Sequence, residues 1–315
     1  MRFLRPERWL TRPKAGGDIH APLLSEATLA EIGALIASLP EPVRLSTRLQ
    51  RGEQASPYQG PGLDFTDLRP YQPGDDVRRI DWRVSARLQK PFVRVYAEPR
   101  QVVTWVVLDR GPSMRFGTRV RLKAAQAARL AALVFGSAGR ALDALALTLL
   151  DGDTHATQPP RSGRAPLHAA LEALRAACPP QKDTAPSRWS ALLAELELTL
   201  PHGARLWLIS DFLGLTREDE ALLERLAARA ELTLCPIEDA SERELPKLGR
   251  VHLQTAAGTM ELDTASHALR AAYSQARAAR REHLDGLAGR LRARLLPVDA
   301  DEALSVIAPR LTGTA

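Results

Sequence analysis

Cysteine is nearly absent: 315 residues hold two, Cys178 and Cys235, far apart and in no C-x-x-C pair. That excludes zinc ribbons, dithiol redox motifs and a disulfide-stapled scaffold, and it fits a reducing cytoplasm. Aromatic residues are sparse, with five Trp, four Tyr and six Phe. No apolar run approaches the roughly 18–20 residues that cross a bilayer. The opening segment "MRFLRPERWLTRPK" is basic but carries no apolar stretch, so it is not read as a secretory signal. Phosphate-cradling loops are missing, since neither G-x-x-x-x-G-K-[ST] nor a G-x-G-x-x-G after a strand occurs. No H-E-x-x-H occurs, and the seven histidines are scattered without metal-ligand spacing.

What is present suits a globular protein of one large or two modest domains, with 45% hydrophobic and 25% charged residues. Net charge is +6. The basic residues, mostly Arg, interleave with Asp and Glu along the chain and form no tail, which argues against nucleic acid as the partner.

The order of periodic segments gives the fold class. "SEATLAEIGALIASLP" (25–40) reads as a helix capped by Ser25. Residues 45–62 are loop-like. "DFTDLRPY" and "FVRVYAEP" read as strand pieces around a turn at "PYQPGDD". From residue 101 the rhythm changes. "QVVTWVVLD" is a β-branched run of the kind buried on both faces, followed by an Ala-rich helix. "ARLWLISDF" is a second such run, and "ELTLCPIED" another. Helices alternate with them, one beginning with Thr216 and Asp219 in capping-box spacing. "VHLQTAAGTMELD" reads as a hairpin, and a long Arg-rich amphipathic helix follows. The pattern predicts an open, doubly wound, mostly parallel α/β sheet. It divides as 1–45 leader and N-terminal helix, 46–100 small β-rich charge-dense subdomain, and 101–315 α/β domain.

Two of the central strands end in aspartate, Asp109 and Asp211. In an open sheet, ligands sit beyond the carboxyl ends of the strands, so neighbouring strands would place both carboxylates in one crevice. "LDRGPSM" has two readings. With Ser113 it is half of a nucleophile elbow, but Arg115 stands where the second Gly belongs. As a D-x-S-x-S loop it would offer oxygens to Mg²⁺, but Gly111 stands where the first Ser belongs.

"GLDFTDLRPYQPGDDVRRIDWRVSAR" (62–87) resembles the signature of the bacterial DUF58 family: Asp67-Leu68-Arg69, Tyr71, Pro73-Gly74-Asp75-Asp76, Arg78, Ile80-Asp81-Trp82 and Ala86-Arg87 all match. "LISDF" and "IEDASERELPKLG" resemble later segments of that family, and the resemblance covers about residues 60–310. It implies a sheet of von Willebrand A type with a metal-ion-dependent adhesion site. It also implies a non-enzymatic adaptor that works with a MoxR-type AAA+ ATPase on a client protein not named by the sequence. Asp109 and Ser113 map to the first cation loop and Asp211 to a later one. The loop that would supply Thr maps near 161–167, which holds none. Three ligand positions of five remain, so no firm cofactor follows and Mg²⁺ is expected to bind weakly or not at all.

The signature's charges suggest a paired array. Asp75, Asp76 and Asp81 are expected to meet Arg69, Arg78, Arg79 or Arg87, anchored by a buried Trp82 with Ile80 and Phe92. That array either braces the first central strand or docks the partner. Two other classes stay open: a nucleic-acid binder using the Arg-rich C-terminal helix, and a Ser113 hydrolase.

Overall fold

The computed structural model describes residues 22–39, 65–73, 75–96, 102–179, 186–245, 247–255 and 258–311. The basic N-terminal segment and the loop at 45–62 lie outside the described residues. The chain divides into two compact units, one of residues 43–101 and one of residues 1–42 with 102–315.

In the order of the chain, α1 (Glu26–Ser38) belongs to the large unit. Ser25 caps it, its hydroxyl accepting from the Thr28 amide at 3.2 Å. The small unit follows with β1 (Phe65–Pro70), α2 (Trp82–Leu88) and β2 (Phe92–Tyr96). The strands pair antiparallel, with Leu68 opposite Arg94 and Arg69 opposite Val93.

The large unit resumes with β3 (Val103–Asp109), α3 (Lys123–Arg140), β4 (Ala144–Asp151), β5 (Thr154–Arg161), α4 (Arg164–Arg175) and α5 (Ser190–Thr199). Then come β6 (Arg205–Ser210), α6 (Arg217–Ala227), β7 (Glu231–Glu238) and the single turn α7 (Ala240–Arg243). The hairpin β8 (Arg250–Thr255) and β9 (Gly258–Asp263) precedes the long helix α8 (His267–Leu291). Two short strands, β10 (Arg294–Leu295) and β11 (Val298–Asp299), and α9 (Leu304–Leu311) close the chain.

The central sheet runs β10-β7-β6-β3-β4-β5, with β11 also on β7. All its pairings are parallel except that of the edge strand β5 with β4. Parallel strands need crossovers, and the helices that supply them cover both faces. Alternate side chains of one strand therefore enter different cores. On β3, Val106 and Leu108 pack with α1, α3, α4 and α9, while Trp105 and Val107 face α5, α6 and α8. The edge strand β5 holds Pro159 and Pro160 where the register with β4 shifts between Leu145 and Leu147. A bulged edge is where a sheet tolerates residues without an N–H. Both cysteines are free and buried, and burial pushes both thiols up. Among the described residues no helix is long and apolar enough to cross a membrane.

Candidate functional site

The sheet's order places β3 beside β6, with Leu108 opposite Ile209. Asp109 at the end of β3 and Asp211 just after β6 thus lie at the same edge, and each is 1% exposed. Their surroundings differ.

Asp109 is held by uncharged donors. Its Oδ1 accepts from the Gly111 amide (2.8 Å) and the Ser187 hydroxyl (2.6 Å), and its Oδ2 from the Ser210 hydroxyl (2.6 Å). Burial pushes its carboxyl up, the charge of Asp211 adds to this, and the three donors only partly oppose it.

Asp211 is held by a cation. Its Oδ2 accepts from Lys123 Nζ at 2.8 Å and its Oδ1 from the Leu213 amide at 3.1 Å. Burial is the largest influence and would raise this carboxyl, but the Lys123 ammonium with the Leu213 amide and the Ser113 hydroxyl holds the group below the usual value. Lys123 is 0% exposed and also donates to Glu242 Oε1 at 2.6 Å. Burial would lower its pKa, and the two carboxylates raise it instead. Glu242 is oriented in turn, because its Oε2 accepts from the Asp239 amide in the capping box that opens α7. Asp239, just after β7, accepts from the amide and hydroxyl of Thr118 and from Ser241. Burial works against its charge, and those donors keep its carboxyl low.

Ser187 reaches Asp109 from the loop before α5, so the third element of the crevice is not the 161–167 segment that the sequence suggested. Two glycines make the approach possible. A Cβ on Gly111 would lie 2.0 Å from Ser187 Oγ, and one on Gly214 would lie 2.0 Å from the Ser187 carbonyl oxygen. Trp189 stacks on Phe212 at 5.8 Å and closes this corner. Ser113 Oγ is buried without a partner of good hydrogen-bond geometry, although it lies against the Asp211 carboxylate and favours its charged form.

These residues do not fit Mg²⁺, which needs near-octahedral oxygen ligation. A serine at position 111 would strike Ser187, and the Asp211 carboxylate already holds an ammonium. Among the described residues no three His, Cys, Asp or Glu side chains are grouped to hold a metal. Base chemistry fares no better. A lysine that activates a serine needs a lowered pKa, and that of Lys123 is raised. Three of the five arginines of α8 are engaged by other elements of the large unit. Arg277 pairs with Glu238 (2.7 Å), Arg290 with Glu220 (2.5 Å), and Arg280 donates to the Asp211 carbonyl.

In the small unit, the signature's carboxylates also serve as caps. Arg69 does clamp Asp75, with bonds of 2.7 and 2.5 Å that raise the guanidinium's pKa and lower the carboxyl's. Asp76 instead accepts from the Arg78 amide (3.0 Å), and Asp81 from the Arg83 and Val84 amides (both 3.1 Å) as the N-cap of α2. Two short helical turns follow one another here, and their unsatisfied amides recruit these carboxylates. Arg78 and Arg87 are exposed, and the side chain of Arg79 lies outside the described residues. Trp82 is not buried as expected but 69% exposed. It is the first residue after the Asp81 cap, while Val93 of β2 is buried.

A six-stranded parallel core in the order above, with one antiparallel edge and an aspartate at the tips of two adjacent strands, defines a von Willebrand A-type α/β protein. Residues 67–283 match the family described as "Protein of unknown function DUF58", and the chain belongs to that family. It is 33% identical over 282 residues to the uncharacterized protein Rv1480 of Mycobacterium tuberculosis, covering 86% of each chain. Among solved structures, the conserved hypothetical protein BatB from Bacteroides thetaiotaomicron is similar at 13% identity and a TM-score of 0.45, over 68% of this chain and 98% of that one. The SpRpn10 VWA domain is similar at 12% identity and a TM-score of 0.38, with the same coverage.

Proposed function

We propose that this chain is a non-enzymatic adaptor that binds a MoxR-type AAA+ ATPase during assembly or maturation of a client complex. The family signature implies such a partner. The observation that carries the reading is the exposed aromatic of that signature. Trp82 stands 69% exposed on a capped helix, with Val77, Arg78 and Arg87 also exposed in the same unit. Exposing a tryptophan costs solvation with no gain to the fold, and Trp and Arg are the residues that dominate binding energy at interfaces. The Asp81 cap and the Arg69–Asp75 clamp hold the backbone under them, so little ordering is left to be done on binding.

The test uses the purified full-length chain and the MoxR-type ATPase of the same host, with and without ATP. Trp82→Ala should leave urea unfolding within about 0.5 kcal/mol of wild type, as for a surface position. It should weaken ATPase binding by at least about tenfold, as loss of an interface anchor does. Arg78→Glu should slow association, most at low salt. Wild-type binding by both variants, or no binding by the parent, would overturn the reading.

A further inference from the structure

We propose that the Lys123 ammonium is a tethered cation. It supplies from within the chain the positive charge that a divalent ion supplies at a metal-dependent adhesion site, and so makes this strand-end crevice independent of metal. Lys123 is the first residue of α3, and its side chain runs from the helix start into the crevice. There its Nζ lies 2.8 Å from Asp211 and 2.6 Å from Glu242. A fully buried ammonium persists only where carboxylates meet it, and these two meet it directly.

The charge count calls for such a cation. The charges of Asp109 and Asp211 repel across adjacent strand tips, and Glu242 adds a third carboxylate nearby. The oxygen count shows which kind of cation the site accommodates. Mg²⁺ takes about six oxygens, whereas an ammonium has only three N–H donors. Two of those go to Asp211 and Glu242, and the buried Ser113 hydroxyl beside Asp211 is left without a well-aligned partner. A hydroxyl left over in this way is expected when a three-donor group replaces a six-coordinate ion. Asp109 is served by Ser187, Ser210 and the Gly111 amide.

If the ammonium is the cation, removing it and leaving its space empty should admit a divalent ion. Removing its charge while filling the space should not. Lys123→Ala and Lys123→Met separate these cases in the full chain. Melting is followed by scanning calorimetry in EDTA and in rising Mg²⁺ or Mn²⁺ at constant ionic strength. The wild-type midpoint should not respond. Both variants should melt lower in EDTA. Only Lys123→Ala should recover, with a midpoint that keeps rising with ion concentration, as binding to the folded state alone requires. No recovery of Lys123→Ala, an equal response of Lys123→Met, or a wild-type gain abolished by Asp109→Asn would each overturn the proposal. Where neither variant folds, calorimetric titration of the wild type decides. Saturable Mg²⁺ or Mn²⁺ binding that Asp109→Asn removes refutes it, and no saturable binding supports it.

Discussion

Asp109→Asn and Asp211→Asn are the same small exchange at the tips of neighbouring strands, and the structure predicts unequal costs. Asp211 faces the Lys123 ammonium at 2.8 Å, both groups being almost fully buried. At an effective dielectric of about 20 the Coulomb attraction is about 6 kcal/mol, before desolvation is subtracted. Breaking a buried pair by removing one partner costs about 3–5 kcal/mol. Glu242 remains on the ammonium, which favours the lower end, about 3 kcal/mol. For a domain of this size that is a fall in Tm of roughly 6–12 °C. Asp109 faces no cation, and burial already opposes its charge. Asparagine there still accepts from Gly111 and Ser187. Only the hydroxyl hydrogen of Ser210 loses its acceptor, since Ser210 Oγ can still accept from the Phe212 amide. The cost should be about 1 kcal/mol, that of one hydrogen bond. Urea unfolding followed through the buried Trp105 and Trp189 measures both. Equal losses, or a larger loss for Asp109→Asn, would refute the assignment of the Lys123 charge to Asp211.

The same pair sets a pH dependence. The Asp211 carboxyl is held below its usual 3.8, so its contribution is present above pH 3.8 and is lost as pH falls through the lowered value. Asp109 works oppositely, because its raised carboxyl costs stability as pH rises from 3.8 through its folded value. The Lys123 contribution is present below pH 10.5 and lost as pH rises through its raised value. The stability gap between wild type and Asp211→Asn should therefore hold between those limits and close at both ends, and a gap unchanged below pH 3.8 would contradict the pairing. Gly111→Ser completes the D-x-S-x-S spacing on paper, but its Cβ would lie 2.0 Å from Ser187 Oγ. It should cost about 1–3 kcal/mol by overpacking and gain no Mg²⁺ binding, while Ser187→Ala in the same chain should recover part of the loss; tight Mg²⁺ binding by Gly111→Ser would sink this account.

The sheet was legible because β3, β6 and β7 carry apolar-rich runs, uncharged after their first residue, closed by aspartates or a Glu-Asp pair, as strands buried on both faces require. The edge strand β5 was not, because "THATQPPR" carries two prolines and pairs on one side only. Ser187 was out of reach of any local pattern, since its place depends on two glycines 76 and 27 residues away in the chain. Lys123 left a usable signal. It stands at i with Ala127, Leu130 and Val134 at i+4, i+7 and i+11, all buried, so the helix's own period turns it inward. Trp82 was misjudged by weighing its size over its position. Asp81 with helix-forming residues behind it reads as an N-cap, and the residue just after a cap on a two-turn helix has little core to enter.

Charge is used differently in the two units, and the difference bears on what each does. In the large unit Lys123, Asp211 and Glu242 are withdrawn from water at the strand ends. Such a pair adds little net stability over apolar residues, yet removing one member is costly. Its effect is to hold β6, α3 and α7 in one arrangement, and salt should scarcely touch it. In the small unit Asp76 and Asp81 cap backbone turns, Asp75 clamps Arg69, and Arg78, Arg87 and Trp82 are exposed. Exposed charges of that kind contribute little to folding and much to the rate at which a partner arrives, and salt weakens them. Ionic strength therefore separates the two roles. Raising it should slow association through the signature segment while leaving unfolding of the large unit nearly unchanged.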